Sequence, residues 1–266
     1  MILAVNEAPD YAFPHSAKDE SRRLDLLEQR LDPLTKRRIQ RLGVGAGARC
    51  LEIGGGRGSI TRWLSDVAGP TGRVTATDLQ TGFLSAIGAS NVEVVRQDIR
   101  SGTFPPGSFD LIHTRALLMH ISPGVDLLHR MVSWLAPGGW VVLEEPDFGM
   151  WMGDADAVWA AAPASAKAAF PGLALSQGRD LLRQVHQLGL EDVGADAEID
   201  IIRAGTDLAE FYQLSQAALA LPKVQAGVLS LEQATALIDR PGDDDFLACG
   251  FVHIGVWGRR PPTERP

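Results

Sequence analysis

The stretch Cys50-Leu51-Glu52-Ile53-Gly54-Gly55-Gly56-Arg57-Gly58 joins an apolar run, an acid and a glycine-rich turn, and Ser59-Ile60-Thr61-Arg62-Trp63-Leu64 then reads as a helix start. A buried strand, tight turn and helix in this order bring bare backbone to a ligand where any Cβ would collide. The dinucleotide fingerprint G-x-G-x-x-G fails at Ser59, and the P-loop fails because no lysine follows the glycines. Asp78 closes the next strand-like run, Arg73-Val74-Thr75-Ala76-Thr77. A carboxylate there can accept both hydroxyls of a ribose, although the same residue type also caps helices. His120 ends Ala116-Leu117-Leu118-Met119-His120, and an ordinary histidine pKa suits it to proton transfer. It reads equally as a structural residue before Pro123. His113 lies inside an apolar run and reads as a core histidine. Glu145 and Asp147 either orient a substrate hydroxyl or amine, or pair with Arg115.

Taken together, Glu52-x-Gly54-x-Gly56-x-Gly58, Asp78, Gln97-Asp98-Ile99, Phe109-Asp110-Leu111-Ile112-x-x-Arg115 and Leu135-Ala136-Pro137-Gly138-Gly139 resemble the motifs of class I S-adenosylmethionine-dependent methyltransferases. The resemblance spans about residues 48–147. It implies S-adenosyl-L-methionine as cofactor, S-adenosyl-L-homocysteine as product, and a cofactor site with Glu52, Gly54, Gly55 and Gly56 at the turn. It further implies Asp78 and Leu79 at the ribose, Asp98 on the adenine amine with Ile99 against the ring, and Thr114 and Arg115 near the amino-acid end. Backbone amides and carbonyls of Gly54, Gly56 and Thr114 are expected to hold that end. Tyr11, with Phe13, is expected on a segment that folds over the cofactor, as leading segments do in similar enzymes; the plainer reading staples the first helix to the domain. His120 is the expected catalytic base wherever the acceptor must lose a proton. The implied activity is methyl transfer to O, N or C of a small, rather apolar molecule, in specialised metabolism. Two alternatives accompany it: a protein that binds the cofactor yet catalyses a cyclisation or rearrangement, and a protein or RNA methyltransferase.

These residues need elements to position them. From Arg49 the chain alternates strand-like and helix-like runs, the mark of an α/β, doubly wound Rossmann-like, seven-stranded, mostly parallel sheet. Strands are expected at Arg49–Ile53, Arg73–Thr77, Val92–Arg96, Phe109–His113, Trp140–Glu144, Glu198–Arg203 and Phe251–Trp257, the last two as a reversed hairpin. Helices are expected near Ser59–Ala68, Thr81–Ala89 and Gly124–Leu135. Residues 1–43 form a leading segment and cofactor cover, with one helix over Ala17–Gln29 and a second started by Asp32 as N-cap and Pro33 at the first position. Residues 44–260 form the main domain, with helical lid insertions at about 150–190 and 206–239, and 261–266 is a tail. Trp151, Trp159, Phe170, Phe211 and Tyr212 in the insertions suit an apolar cover over a drug-sized substrate.

Composition narrows the classes further. A chain of 266 residues with 45% hydrophobic and 22% charged residues suits one soluble α/β domain. No apolar run reaches a membrane span, and Met1-Ile2-Leu3-Ala4-Val5 lacks a signal peptide's basic start, so a cytoplasmic protein with no membrane partner is expected. The net charge of −8 argues against nucleic acid, and Lys36-Arg37-Arg38 reads as a solvated helix face. Cys50 and Cys249 read as buried apolar thiols, no His/carboxylate spacing suits a metal, and a homodimer stays open.

Overall fold

The computed structural model describes residues 19–121, 125–151 and 157–262. Its centre is a seven-stranded sheet built from β1 (Arg49–Ile53), β2 (Arg73–Asp78), β3 (Val92–Arg96), β4 (Phe109–Arg115), β5 (Leu135–Asp147), β6 (Glu191–Arg203) and β7 (Leu247–Arg259). The order is β3-β2-β1-β4-β5-β7-β6, and only β7 runs antiparallel to its neighbours. The chain winds outward in both directions from β1 and β4, so a crevice opens above their carboxyl ends, where ligands bind in such sheets.

The helices follow from their apolar spacing. In α2 (Ser59–Ala68), Ile60, Leu64 and Ala68 recur every fourth residue and are buried against one face of the sheet with Cys50, Val74 and Leu111. The other face is covered by α3 (Val125–Trp134) and α6 (Gln177–His186), whose Leu128, Met131 and Leu181 pack on Leu51, Ile112 and Val141. Between β5 and β6 the chain also forms α4 (Ala157–Ala160) and α5 (Ala162–Ala169); between β6 and β7 it forms α7 (Asp207–Gln225) and α8 (Leu231–Asp239).

Three expectations need correction. The leading helices are one helix, α1 (Glu20–Arg41), with Pro33 inside it. Asp32 does not cap: its carboxylate is held by Arg115, Ser59 and Lys36. Burial of Leu31, Leu34 and Ile39 on either side outweighs the amide bond that Pro33 forfeits. Second, Thr81–Ala89 contains only a 3-10 turn at Leu84–Ala86. Leu84 and Ile87 are wedged onto the glycine turn, where a Cβ on Gly55 or Gly58 would meet them at 2.9 and 2.7 Å. Third, Arg38 is not on a solvated face. It is buried, with Nε 2.6 Å from Asp196 and a terminal nitrogen 2.7 Å from Glu144.

Candidate functional site

At the end of β1 the chain turns through Gly54 and Gly56, whose φ angles of +73° and +53° are costly for residues with a Cβ. The turn is tied to β2, because the Gly54 and Gly55 amides donate to the Thr77 carbonyl at 2.8 and 3.2 Å. The Gly56 amide donates to Asp78 Oδ2 at 3.1 Å, and Gln80 N–H donates to Oδ1 at 2.9 Å. These bonds fix the Asp78 carboxylate at the crevice. They also correct one expectation, since the Gly54 and Gly56 amides are engaged within the protein and not free for a ligand. What Gly56 offers is space: a Cβ built there meets no protein atom within 4 Å.

A cavity of about 280 Å³ runs from this turn to the helical insertions. Glu52, Gly54, Gly55, Gly56, Asp78 and Leu79 line one end, joined by Asp98, Ile99, Arg115 and His120. Thr114 does not line it; its buried side chain lies behind Arg115 and Ala116, which do. Tyr11 and Phe13 lie outside the described residues. Asp98 is engaged by Arg100, which donates to it at 2.8 and 3.0 Å and holds its carboxyl below the usual range. Arg115 points away from Glu145 and Asp147 and bonds Thr35 at 3.0 Å and Asp32 at 3.1 Å, anchoring α1 across the crevice. Asp147 instead pairs with Arg179.

Because strands alternate faces, Glu52, His113 and Glu144 project side by side toward α1 from β1, β4 and β5. His113 is fully buried, with Nδ1 2.7 Å from Glu52 and Nε2 3.4 Å from Glu144. Burial alone would depress its pKa, but the two carboxylates outweigh it and raise the imidazole to about 9. The core-histidine reading is thus right about burial and silent about charge. Glu144 also accepts from Thr35 and Arg38; burial opposes its ionisation, and the imidazoles of His113 and His253 beside it hold it well below the carboxylate range.

Glu145 takes neither expected role. Its carboxylate accepts the amides of Leu117, Leu118 and Met119 at 2.9, 2.8 and 3.1 Å, clamping the 3-10 turn Leu118–His120. Burial raises it to about 7 despite those bonds. The turn is entered through Ala116, a non-glycine residue at φ +51°. His120 is pushed down to about 4 by burial, with Arg23 adding to the effect, so at neutral pH it is an uncharged imidazole.

The far end of the cavity is lined by Leu24 and Leu27 of α1, with Phe148, Trp151, Tyr212 and Phe251. Trp151 stacks on Trp159 at 4.8 Å and donates its indole N–H to the Trp159 carbonyl at 3.0 Å. Tyr212 donates to Asp200 at 2.9 Å and accepts from the Phe251 amide at 3.0 Å, so its hydroxyl is spent inside the wall. His253, also on the cavity wall, is absent from the sequence-level candidates. Its place two residues after Phe251, on the same face of the strand-like run Phe251–Trp257, was the signal available. Among the described residues no His, Cys, Asp and Glu cluster is shaped for a metal, and no helix is long and apolar enough to cross a membrane.

Fold and site together define an open-sheet α/β protein with a glycine-turn crevice roofed by helices. Residues 26–194 match the family model of a methyltransferase domain. The chain therefore belongs to the methyltransferase domain family, of the class I S-adenosylmethionine-dependent type that its motifs resemble. It is 35% identical over 130 residues to the ubiquinone/menaquinone biosynthesis C-methyltransferase UbiE of Pseudomonas savastanoi, a match covering 46% of this chain and 51% of that protein. The chain thus spans about half the length of such curated relatives. Among solved structures it resembles phosphoethanolamine N-methyltransferase 2 of Haemonchus contortus (TM-score 0.56, 18% identity, covering 91% of this chain and 52% of that one). It also resembles the [4+2]-cyclase SpnF (TM-score 0.53, 18% identity, covering 88% and 82%). The cofactor of the family, S-adenosylmethionine, fits the residues present: the open space over Gly56 and the oriented Asp78 carboxylate beside it.

Proposed function

We propose that this methyltransferase carries a methyl group from S-adenosylmethionine to a small, largely apolar acceptor held beneath the insertions, a reaction of specialised metabolism. The observation that carries this reading is one cavity with two unlike ends, a glycine-and-carboxylate end and an aromatic and aliphatic end. Cofactor contacts are assigned to Glu52, Gly54, Gly55, Gly56, Asp78 and Leu79, with Asp98 and Ile99 at the base and Arg115 on the strand beyond. His120 is assigned to the acceptor: it lines the same cavity and, neutral at working pH, serves as a hydrogen-bond acceptor and proton relay. Much of the rate in such a displacement comes from holding two reactants in line and away from water. The relatives' names describe carbon and nitrogen acceptors, so they support methyl transfer without choosing the atom here.

The test is to incubate the chain with S-adenosylmethionine carrying a labelled methyl and a panel of hydroxylated aromatic, amine and polyketide-like acceptors. Label should move to an acceptor with stoichiometric S-adenosylhomocysteine. Conversion of an acceptor without S-adenosylhomocysteine would mean a rearrangement, and the proposal would be wrong.

A further inference from the structure

His253 stands out among the buried polar groups. Its imidazole is fully buried on the cavity wall, and among the described residues neither ring nitrogen has a hydrogen-bond partner. Leaving a buried polar atom unpaired costs about 1–3 kcal/mol, so such groups are retained where something uses them. Nε2 lies 3.9 Å from Glu144, beyond hydrogen-bond distance, and Nδ1 has no partner among the described residues. Aromatic rings share the wall with it: the Phe251 centroid is 6.4 Å from the imidazole, and Phe148 and Trp151 line the same cavity. The other charges nearby are Arg38 and Arg115, both already bonded to acids.

Resting on the reading above, we propose that His253 is a catalytic residue that takes the proton of an acidic hydroxyl, phenol or enol, carried by an apolar and preferably aromatic acceptor. The O–H bond breaks, its electron pair stays on oxygen, and the proton moves to Nδ1. Glu144 faces the imidazolium so formed, as a carboxylate faces the histidine of a hydrolase triad, and catalytic bonds of this kind are often long before the substrate arrives. The oxygen pair, shared with the neighbouring carbon of a phenolate or enolate, then attacks the methyl carbon while the carbon–sulfur pair leaves with sulfur. The proton afterwards passes to water. One proton acceptor therefore serves O- or C-methylation. The division of labour with His120 follows from their surroundings, since His120 faces the cation Arg23 and His253 faces the anion Glu144. Burial keeps both neutral at rest.

The experiment is a calorimetric titration of the full chain, saturated with S-adenosylhomocysteine, by 1-naphthol and by 1-methoxynaphthalene. In the parent protein the naphthol should bind roughly three- to ten-fold tighter, the value of one neutral hydrogen bond. His253→Phe should erase the difference while leaving cofactor affinity unchanged. His253→Gln should keep part of it yet lower methyl transfer to a hydroxylated acceptor by about 10² or more. Equal affinity of the two probes in the parent, binding of neither, or a preference that survives in His253→Phe overturns the proposal. The parent comparison decides even if a variant fails to fold. Failure of the broader reading looks different: no S-adenosylhomocysteine would bind at all.

Discussion

Asp78 is the residue whose contribution is easiest to isolate, because two amides already hold its carboxylate at the crevice. Asp78→Ala should weaken S-adenosylmethionine about ten- to a hundred-fold, the value of a charge-assisted bond of ~1.5–3 kcal/mol, as read by calorimetry. Unchanged affinity would place the ribose elsewhere. Gly56→Val should abolish binding while the far face of the sheet stays folded. Its φ of +53° resists a branched side chain, and the added atoms enter space that no protein atom fills. Circular dichroism beside the titration separates lost binding from lost structure. Both residues were legible because strand ends and glycine turns are written locally. Glu52–His113–Glu144 was not, since it exists only through the register of β1, β4 and β5, and His253 reaches the cavity only because β7 runs against its neighbours.

At the scale of elements, the short turn bearing His120 depends on one carboxylate from another strand. In Glu145→Gln a single amide oxygen must serve the Leu117, Leu118 and Met119 amides, while the new NH₂ donor faces other donors. The variant should lose about 1–3 kcal/mol of stability by chemical denaturation and turn over more slowly. A silent substitution would show that the turn stands unaided. Helix α1 teaches the limits of local reading. Asp32-Pro33 is a sound helix-start signal, yet the Arg115 guanidinium and the Ser59 hydroxyl claim the aspartate and the helix runs through. The reading of Thr81–Ala89 as helix fails for a similar reason, because Leu84 and Ile87 are committed to packing on glycines and not to a helical stripe. The insertions were legible as helices and as an apolar cover, but not that α1, α5, α7 and β7 would supply the chamber's walls together.

For the whole molecule, the buried ladder between sheet and α1 ties stability to pH. The folded pKa of His113, about 9, lies above the ordinary value of 6.5, so the folded state binds the proton more tightly. Its stabilisation is complete below about pH 6.5 and is lost as pH rises through 9. Melting temperature should therefore decline over that window, and His113→Gln should flatten the decline; a parent protein equally stable at pH 6.5 and 9.5 would refute the charge assignment. Meanwhile the cofactor floor and the roof are built from separate stretches of sequence. Replacing roof residues such as Leu173 or Trp151 should shift which acceptors fit while cofactor affinity stays within a factor of about two, as neighbouring but non-contacting sites behave nearly additively. The roof also has an optical consequence. Trp151 and Trp159 lie 4.8 Å apart at an interplanar angle of 27°, close enough for their excited states to mix. An acceptor sliding against that pair would change a paired near-ultraviolet dichroism signal, giving the protein a built-in, label-free gauge of when its chamber is filled.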